Sequence, residues 1–400
     1  MDDARSAPAP GGHSSGHRLR VALVGAGLVG QAAHAITLAE ETDRFEFVAV
    51  VDPSATVSRA VADRYRVQHA VATLAEALPL GLDAVVVAVP DPAHRDVCVE
   101  ALTAGLHVFC EKPLATSLEE VDEIIAARGD RVLQCGYMKL YDPAVERLVQ
   151  LLSQPSAELV YLSIEVNDPD QAPFVDHLGL HSARDVPAEL IESTRRRGAQ
   201  AVDETLGRPA TDPERRAFEA YLGALVHDVS LAHHLLAPLG FGPPLRLVDA
   251  GYFDLGAGVS LTWTLPPVAR AQLTHLNLPG VPDYRERVTV YLRDRILELT
   301  FPSPYLRHLP TRLTERRCAT TAPGVGPGVT GQPLELVTSE YRVSYEEAFR
   351  SELRAFHASI TTGAPVRSTA EAARADLAAL LDALRLASGA TTAPRGPAPQ

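Results

Sequence analysis

Lysine is almost absent from this chain. Of 400 residues, 37 are Lys or Arg, and all but Lys112 and Lys139 are arginine. Arginine therefore supplies nearly all the generic cationic surface. Two compact, rotatable ammonium groups stand apart chemically from that guanidinium background. Positive charge is also short overall. A net charge of −13 argues against a nucleic-acid binder, which presents a basic patch or stripe. No basic amphipathic segment suits a membrane surface. Long apolar runs are missing as well. The run at 82–89 is already broken by Asp83, far short of the ~20 residues that span a bilayer. The four cysteines, Cys98, Cys110, Cys135 and Cys318, have neither metal-ligand spacing nor a disulfide framework. A reduced, cytoplasmic setting is expected, with no metal. Residues 1–18 hold no apolar signal-type stretch, and both they and 389–400 read as disordered tails.

What is present is alternation. Residues 19–24, 45–51, 84–89, 107–110 and 131–135 read as short, nearly all-apolar strands with helical stretches between them. That βαβ pattern means a parallel sheet covered on both faces. Gly25-Ala26-Gly27-Leu28-Val29-Gly30 follows the first strand and opens the first helix. Gly25 permits a tight turn, Gly27 a close approach of backbone to a pyrophosphate, and Gly30 close packing of helix on strand. The pyrophosphate would sit on the helix N-terminus, where free N–H groups favour anions. Asp52 ends the second strand, 22 residues after Gly30, as the dinucleotide fingerprint requires. A carboxylate there accepts from an adenine ribose and repels a 2′-phosphate, so NAD is expected over NADP. Arg59 would weaken that preference if it reached back. The fold class is thus α/β, with a Rossmann NAD-binding domain over 19–136.

Residues 137–388 read as an α+β domain with a large, open-faced, mostly antiparallel sheet. Strand-like segments lie at 158–166, 245–253, 259–265, 270–277, 287–292 and 296–301. An apolar open face on that sheet predicts self-association. Helices are expected at about 188–206 and 213–237, the second started by Thr211-Asp212-Pro213-Glu214. The Pro/Gly/Thr-rich stretch 302–332 reads as a long loop. Helices at 345–361 and 369–388 close the chain, the last with a Ser368/Glu371 capping box.

Three further motifs follow in order. Ala88-Val89-Pro90-Asp91-Pro92-Ala93-His94 ends one strand, Glu111-Lys112-Pro113-Leu114-Ala115 ends the next, and Gly136-Tyr137-Met138-Lys139-Leu140-Tyr141-Asp142-Pro143 follows a third. With the glycine cradle, they resemble the Gfo/Idh/MocA family of oxidoreductases, specifically over 19 to about 150. The resemblance implies NAD(P)-dependent hydride transfer at a secondary hydroxyl or keto carbon of a sugar, cyclitol or sugar nucleotide. The open sheet face leads to the expectation of a homodimer or homotetramer, and charge and composition to that of no nucleic-acid or membrane partner. The resemblance places Lys112 beside nicotinamide and substrate oxygen, with a cis Lys112–Pro113 bond. Glu111, Pro113, Pro90 and His94 would line the cofactor cleft, and Tyr137 and Lys139 would face the substrate.

The chemistry also needs a base for the hydroxyl proton, and a histidine suits it. His227 lies on the 213–237 helix beside the apolar stripe, with small neighbours Gly223, Ala224 and Ser230. Many family members carry an Asp four residues before this His. This chain has Gly223 there, and Asp228 points about 100° away around the helix. Catalytic candidates are therefore Lys112, His227 and Tyr137. The long segment 167–208 reads as a substrate lid or subunit contact, and His233-His234 as a helix surface feature. Two other readings stay open: internal cycling of a bound NAD for epimerisation, elimination or glycoside cleavage, and a non-catalytic NAD(P)-binding sensor.

Overall fold

The computed structural model describes residues 18–319 and 335–389. The tails expected at 1–18 and 389–400 lie outside them but for residues 18 and 389, as does most of the second half of the 302–332 loop. The first domain is a six-stranded parallel sheet: β1 (Leu19–Val24), β2 (Phe45–Val51), β3 (His69–Val71), β4 (Ala84–Val87), β5 (His107–Glu111) and β6 (Leu133–Gly136), in the order β3-β2-β1-β4-β5-β6. β3 is short and half-buried, which is why no apolar run announced it. The order reverses between β1 and β4, so the crevice at their C-terminal ends is the natural ligand site.

The second domain is an eight-stranded sheet. Its strands are β7 (Leu159–Asp168), β8 (Arg246–Phe253), β9 (Gly258–Leu265), β10 (Ala269–Asn277), β11 (Arg285–Leu292), β12 (Arg295–Phe301), β13 (Arg312–Cys318) and β14 (Leu336–Tyr341). They are ordered β14-β13-β12-β11-β7-β10-β9-β8, antiparallel except for β7 with β10. β13 corrects the loop reading of 302–332. Its sequence is Arg-Leu-Thr-Glu-Arg-Arg-Cys, too charged to show an apolar period, yet its backbone pairs with β12 and β14.

One face of this sheet buries Leu162, Ile164, Leu261, Trp263, Leu273, Val288 and Val290 under the helices. The other face carries Ser163, Glu165, Thr262, Gln272 and Arg287 around a Tyr161–Tyr291 ring pair. It is polar, not apolar as expected, because the period-2 alternation puts hydroxyl and charged residues on that side.

The helix over 213–237 is in fact three segments: Asp212–Ala220, a π-helical turn Tyr221–Leu225, and Val226–Leu236. The Glu214 carboxylate accepts from the Thr211 N–H and hydroxyl, fixing the start. His233 is not a surface residue. It is buried, and Nδ1 lies 2.6 Å from Asp376 on the last helix, Ala370–Ala387. That helix is capped by Thr369, not Ser368. Ser368 instead donates to the Cys135 carbonyl at 2.6 Å and meets the Tyr141 hydroxyl. Among the described residues, no helix is long and apolar enough to cross a membrane.

The two domains are fastened by the chain's return. Helix Ala348–Thr362 packs Leu353 and Phe356 onto Leu19, Leu23, Phe45 and Phe109 of the first sheet. Arg354 grips both oxygens of buried Glu41 at 2.8 and 2.9 Å. Truncating a buried Phe costs about 3–5 kcal/mol. Phe356→Ala should therefore lower unfolding stability by that order in denaturant titration. An unchanged midpoint would mean that this helix does not carry the first domain's uncovered face.

Candidate active site

The glycine cradle has the geometry its sequence implies. Gly25 sits at φ 93°, and a Cβ there would lie 2.4 Å from the Ala88 carbonyl oxygen. A Cβ on Gly30 would meet the Gly25 oxygen at 2.4 Å. Above Gly27 the space is open for 4 Å. Asp52 is spoken for on both oxygens: it accepts from Ala26 N–H and Ser54 N–H, each at 2.8 Å. That locks the carboxylate at the rim of the turn. Gly27, Leu28 and Asp52 line one cavity of about 490 Å³. The cradle fits a dinucleotide, since backbone can approach over Gly27 and the acid is held where a ribose would lie.

A second cavity, about 310 Å³, opens where the first sheet's C-terminal ends meet the second domain. Val29, His94, Glu111 and Lys112 line it from the cofactor domain. Lys139, Asp168, His227, Asp228 and His275 line it from the other. Both lysines of the chain thus face one space. The Lys112–Pro113 bond is cis. Lys112 Nζ donates to the Gly223 carbonyl at 2.6 Å, across the cleft and onto the π-helical turn. Such turns recur at functional sites.

Glu111 steadies Lys112. It accepts from the Lys112 N–H at 3.2 Å and meets His34 Nε2 at 2.7 Å. Burial would raise the Glu111 carboxyl, but the His34 contact and the Lys112 charge outweigh it and hold it below the usual range. His94 is fully buried, its ring nitrogens against the Pro113 and Val89 carbonyls at 2.7 and 2.9 Å. It ties the end of the β4 turn to the Lys112–Pro113 segment. Pro90 is exposed and lines neither cavity.

Lys139 is buried, with Nζ 2.7 Å from Asp228 and 2.8 Å from Glu286. Burial pushes its ammonium down, but the two carboxylates more than reverse that and keep it charged. Burial raises the Asp228 and Glu286 carboxyls against the pull of the same lysine. The Tyr284 hydroxyl donates to Glu286 at 2.5 Å. Asp228 therefore does reach the site, as the partner of Lys139 and not of His227.

His227 is half-buried, its Nδ1 without a partner among the described residues. Burial first, then the Lys112 and Lys139 charges, holds its pKa well below the ordinary histidine value. Tyr137 does not line the cavity. It is 1% exposed, its hydroxyl has no partner among the described residues, and its ring meets the His227 ring edge-on at 6.2 Å. The turn Met138–Tyr141 starts immediately after it and carries Met138 and Lys139 to the cavity instead. Tyr137 is a core aromatic behind His227.

Sequence reading missed Asp168, His275, Glu286 and His34. The first three lie on adjacent strands β7, β10 and β11, and Val166 pairs with both His275 and Glu286. Each continues an apolar row: Leu162-Ile164-Val166-Asp168, Ala271-Leu273-His275, and Val290-Val288-Glu286. A polar group on the buried side of an alternating strand was the available signal.

Residues 19–137 match the model of the "Oxidoreductase family, NAD-binding Rossmann fold". Over 141 residues the chain is 36% identical to an inositol 2-dehydrogenase/D-chiro-inositol 3-dehydrogenase of Shouchella clausii, covering 34% of this chain and 40% of that protein. It is 30% identical over 188 residues to an inositol 2-dehydrogenase of Saccharopolyspora erythraea, covering 44% and 53%. The chain thus spans about half or less of these curated relatives. Solved structures extend the likeness of fold over nearly the whole chain. The UDP-N-acetylglucosamine 3-dehydrogenase of Acidithiobacillus ferrooxidans superposes with a TM-score of 0.64 at 22% identity, covering 92% of this chain and 96% of that one. A protein of gentamicin A biosynthesis, solved in complex with NAD, gives 0.65 at 21% identity, covering 96% and 97%. Over residues 19–137, with the glycine cradle and the cis Lys112–Pro113 turn in place, the chain is thus similar to the NAD-binding domain of the Gfo/Idh/MocA oxidoreductases.

Proposed function

We propose that the chain is an NAD-dependent dehydrogenase that moves hydride between nicotinamide and a secondary hydroxyl or keto carbon of a cyclitol- or sugar-like substrate. One observation carries the reading: an ammonium, Lys112, and a histidine kept neutral, His227, face the same cavity at the C-terminal edge of a dinucleotide-binding sheet. NAD, when bound, supplies the hydride acceptor. His227 takes the hydroxyl proton, a transfer worth about 10²–10⁴-fold when the base is positioned. Lys112 steadies the oxygen's developing negative charge, held by Glu111 below and the Gly223 carbonyl across the cleft. Lys139 is already neutralised by two carboxylates, so it builds the site's floor and does not serve as the acid. The names of the relatives, inositol and sugar-nucleotide dehydrogenases, support a polyol ring as substrate. Self-association belongs to the same proposal, without the apolar sheet face as its contact, and sedimentation at micromolar concentration reads it.

Purified protein with NAD+ and pooled cyclitols, sugars and sugar nucleotides should produce NADH. Lys112→Ala should lower kcat/KM by about 10²-fold or more, the scale of a lost charge-stabilising donor. No absorbance change with any pool member would sink the reading.

The pH profile tests His227. A base must be unprotonated, and its depressed pKa places the acid limb of kcat/KM below the ordinary histidine value of about 6.5. Lys112→Met removes one of the charges that depress it, so the limb in that variant should move to higher pH. A limb that stays put would rule out His227 as the titrating base.

Lys139→Met should strand two buried carboxylates, at about 3–5 kcal/mol, seen as a lower denaturant midpoint. Adding Glu286→Gln should restore part of the loss. If the double variant is as unstable as the single, the pairing is not what holds this region.

A further inference from the structure

Of the segment 167–208, expected as a substrate lid or a subunit contact, Asp168 and Gln171 border the 310 Å³ cavity and the residues after them turn away. After β7, residues 169–187 cross to the cofactor domain before the helix Ala188–Leu206 begins. Three contacts pin them there. Gln31, one residue past the last cradle glycine, makes a two-way pair with the His181 backbone: Nε2 donates to its carbonyl at 2.8 Å and Oε1 accepts its N–H at 2.9 Å. Arg64 donates to the Leu178 and Gly179 carbonyls at 3.0 and 3.3 Å. Asp185 seats its carboxylate on the start of the helix Ala55–Tyr65, accepting from the Thr56 N–H at 3.0 Å, the Thr56 hydroxyl at 2.9 Å and the Ser54 hydroxyl. The 490 Å³ cavity is what this strap encloses, with Gly27 and Asp52 as floor and Leu180 and Ser182 as roof.

The place Asp185 takes is chemically specific. Asp52 stands two residues before Ser54 and bonds its N–H at 2.8 Å. A ribose held by Asp52 would therefore lie beside the Ser54–Thr56 turn. That turn offers a backbone N–H, two hydroxyls and the positive end of a helix, the features that hold a phosphate. In this chain a carboxylate from the other domain already uses them. The Ser54 hydroxyl, with the Thr56 donors, holds the Asp185 carboxyl down to about 2, so it stays charged through the working range.

We propose that residues 169–187 form a built-in clasp over the adenosine half of the dinucleotide site, and that Asp185 is its specificity residue. By filling the anion position of the Ser54–Thr56 turn, Asp185 refuses the 2′-phosphate of NADP, while NAD lies beneath the strap. Cofactor exchange then requires the strap to lift. The inference rests on the dinucleotide reading of the cradle, but not on the identity of the substrate.

The test is binding, without turnover. Calorimetric titration of the full chain with NADH and NADPH gives the ratio of their affinities, and stopped-flow displacement gives the NADH off-rate. In Asp185→Ala the NADH:NADPH ratio should fall by about tenfold or more, mainly through tighter NADPH, since a like charge no longer occupies the anion position of the turn. Asp185→Asn keeps the size and loses the charge, and should show part of that fall. The NADH off-rate should rise several-fold in Asp185→Ala and in Gln31→Ala, the latter with little change in the ratio. A ratio unchanged in both Asp185 variants overturns the specificity role, as does a loss of both affinities by the same factor, which signals mere packing. An NADH off-rate unchanged in Asp185→Ala and Gln31→Ala overturns the clasp. If wild-type protein binds neither nucleotide, the dinucleotide reading itself falls.

Discussion

A single buried ammonium ties together the parts of the second domain that border the cavity. Lys139 leaves the first domain's last strand, enters the second domain, and ends between Asp228 on a helix and Glu286 on the large sheet. Buried carboxylates without a cation are costly, and a buried cation without them equally so. The three groups therefore specify one another's positions within hydrogen-bond distance. Through them the start of the second domain, the helix that bears His227 and the polar row of the sheet take one arrangement. The cavity is the space that arrangement leaves beside Lys112.

Near-exclusive use of arginine makes this easier to see. Guanidinium groups do the domain fastening at the surface, as with Arg354 and Arg350 on Glu41. A fork that prefers two parallel bonds suits a carboxylate edge-on. A site that must address two separate carboxylates, or a backbone carbonyl across a cleft, suits a point charge with three rotatable donors. The chain uses the ammonium only at those two places.

Much of the cofactor domain was legible in the sequence, because each of its rules is local. Glycines at 25, 27 and 30 and the acid at 52 act within one strand-turn-helix unit, and the apolar runs of β1, β2, β4 and β5 declare a covered sheet. The rest of the site was not local. Asp168, His275 and Glu286 come together through pairings across β10, β7 and β11. No single strand shows that, although the polar interruption of each apolar row hinted at it. The helical wheel drawn through 213–237 assumed one uninterrupted α-helix. The π-helical turn at Tyr221–Leu225 breaks that wheel between Gly223 and His227, whereas Asp228, still one helical step from His227, borders the cavity through its pairing with Lys139. Tyr137 illustrates the reverse error: it adjoins the right residues, and the turn that follows it sends its ring into the core.

Gly223 is a position where the chain departs from the pattern of the family it resembles, and a Cβ built there touches nothing within 4 Å. Any glycine codon becomes an aspartate or glutamate codon by a change of its middle base. The acidic side chain would arrive in open space, on the turn where an ammonium already docks. In evolutionary terms the two chemistries, with and without an acid beside the histidine, are mutational neighbours on this scaffold. The fold does not have to be rebuilt for a lineage to pass from one to the other.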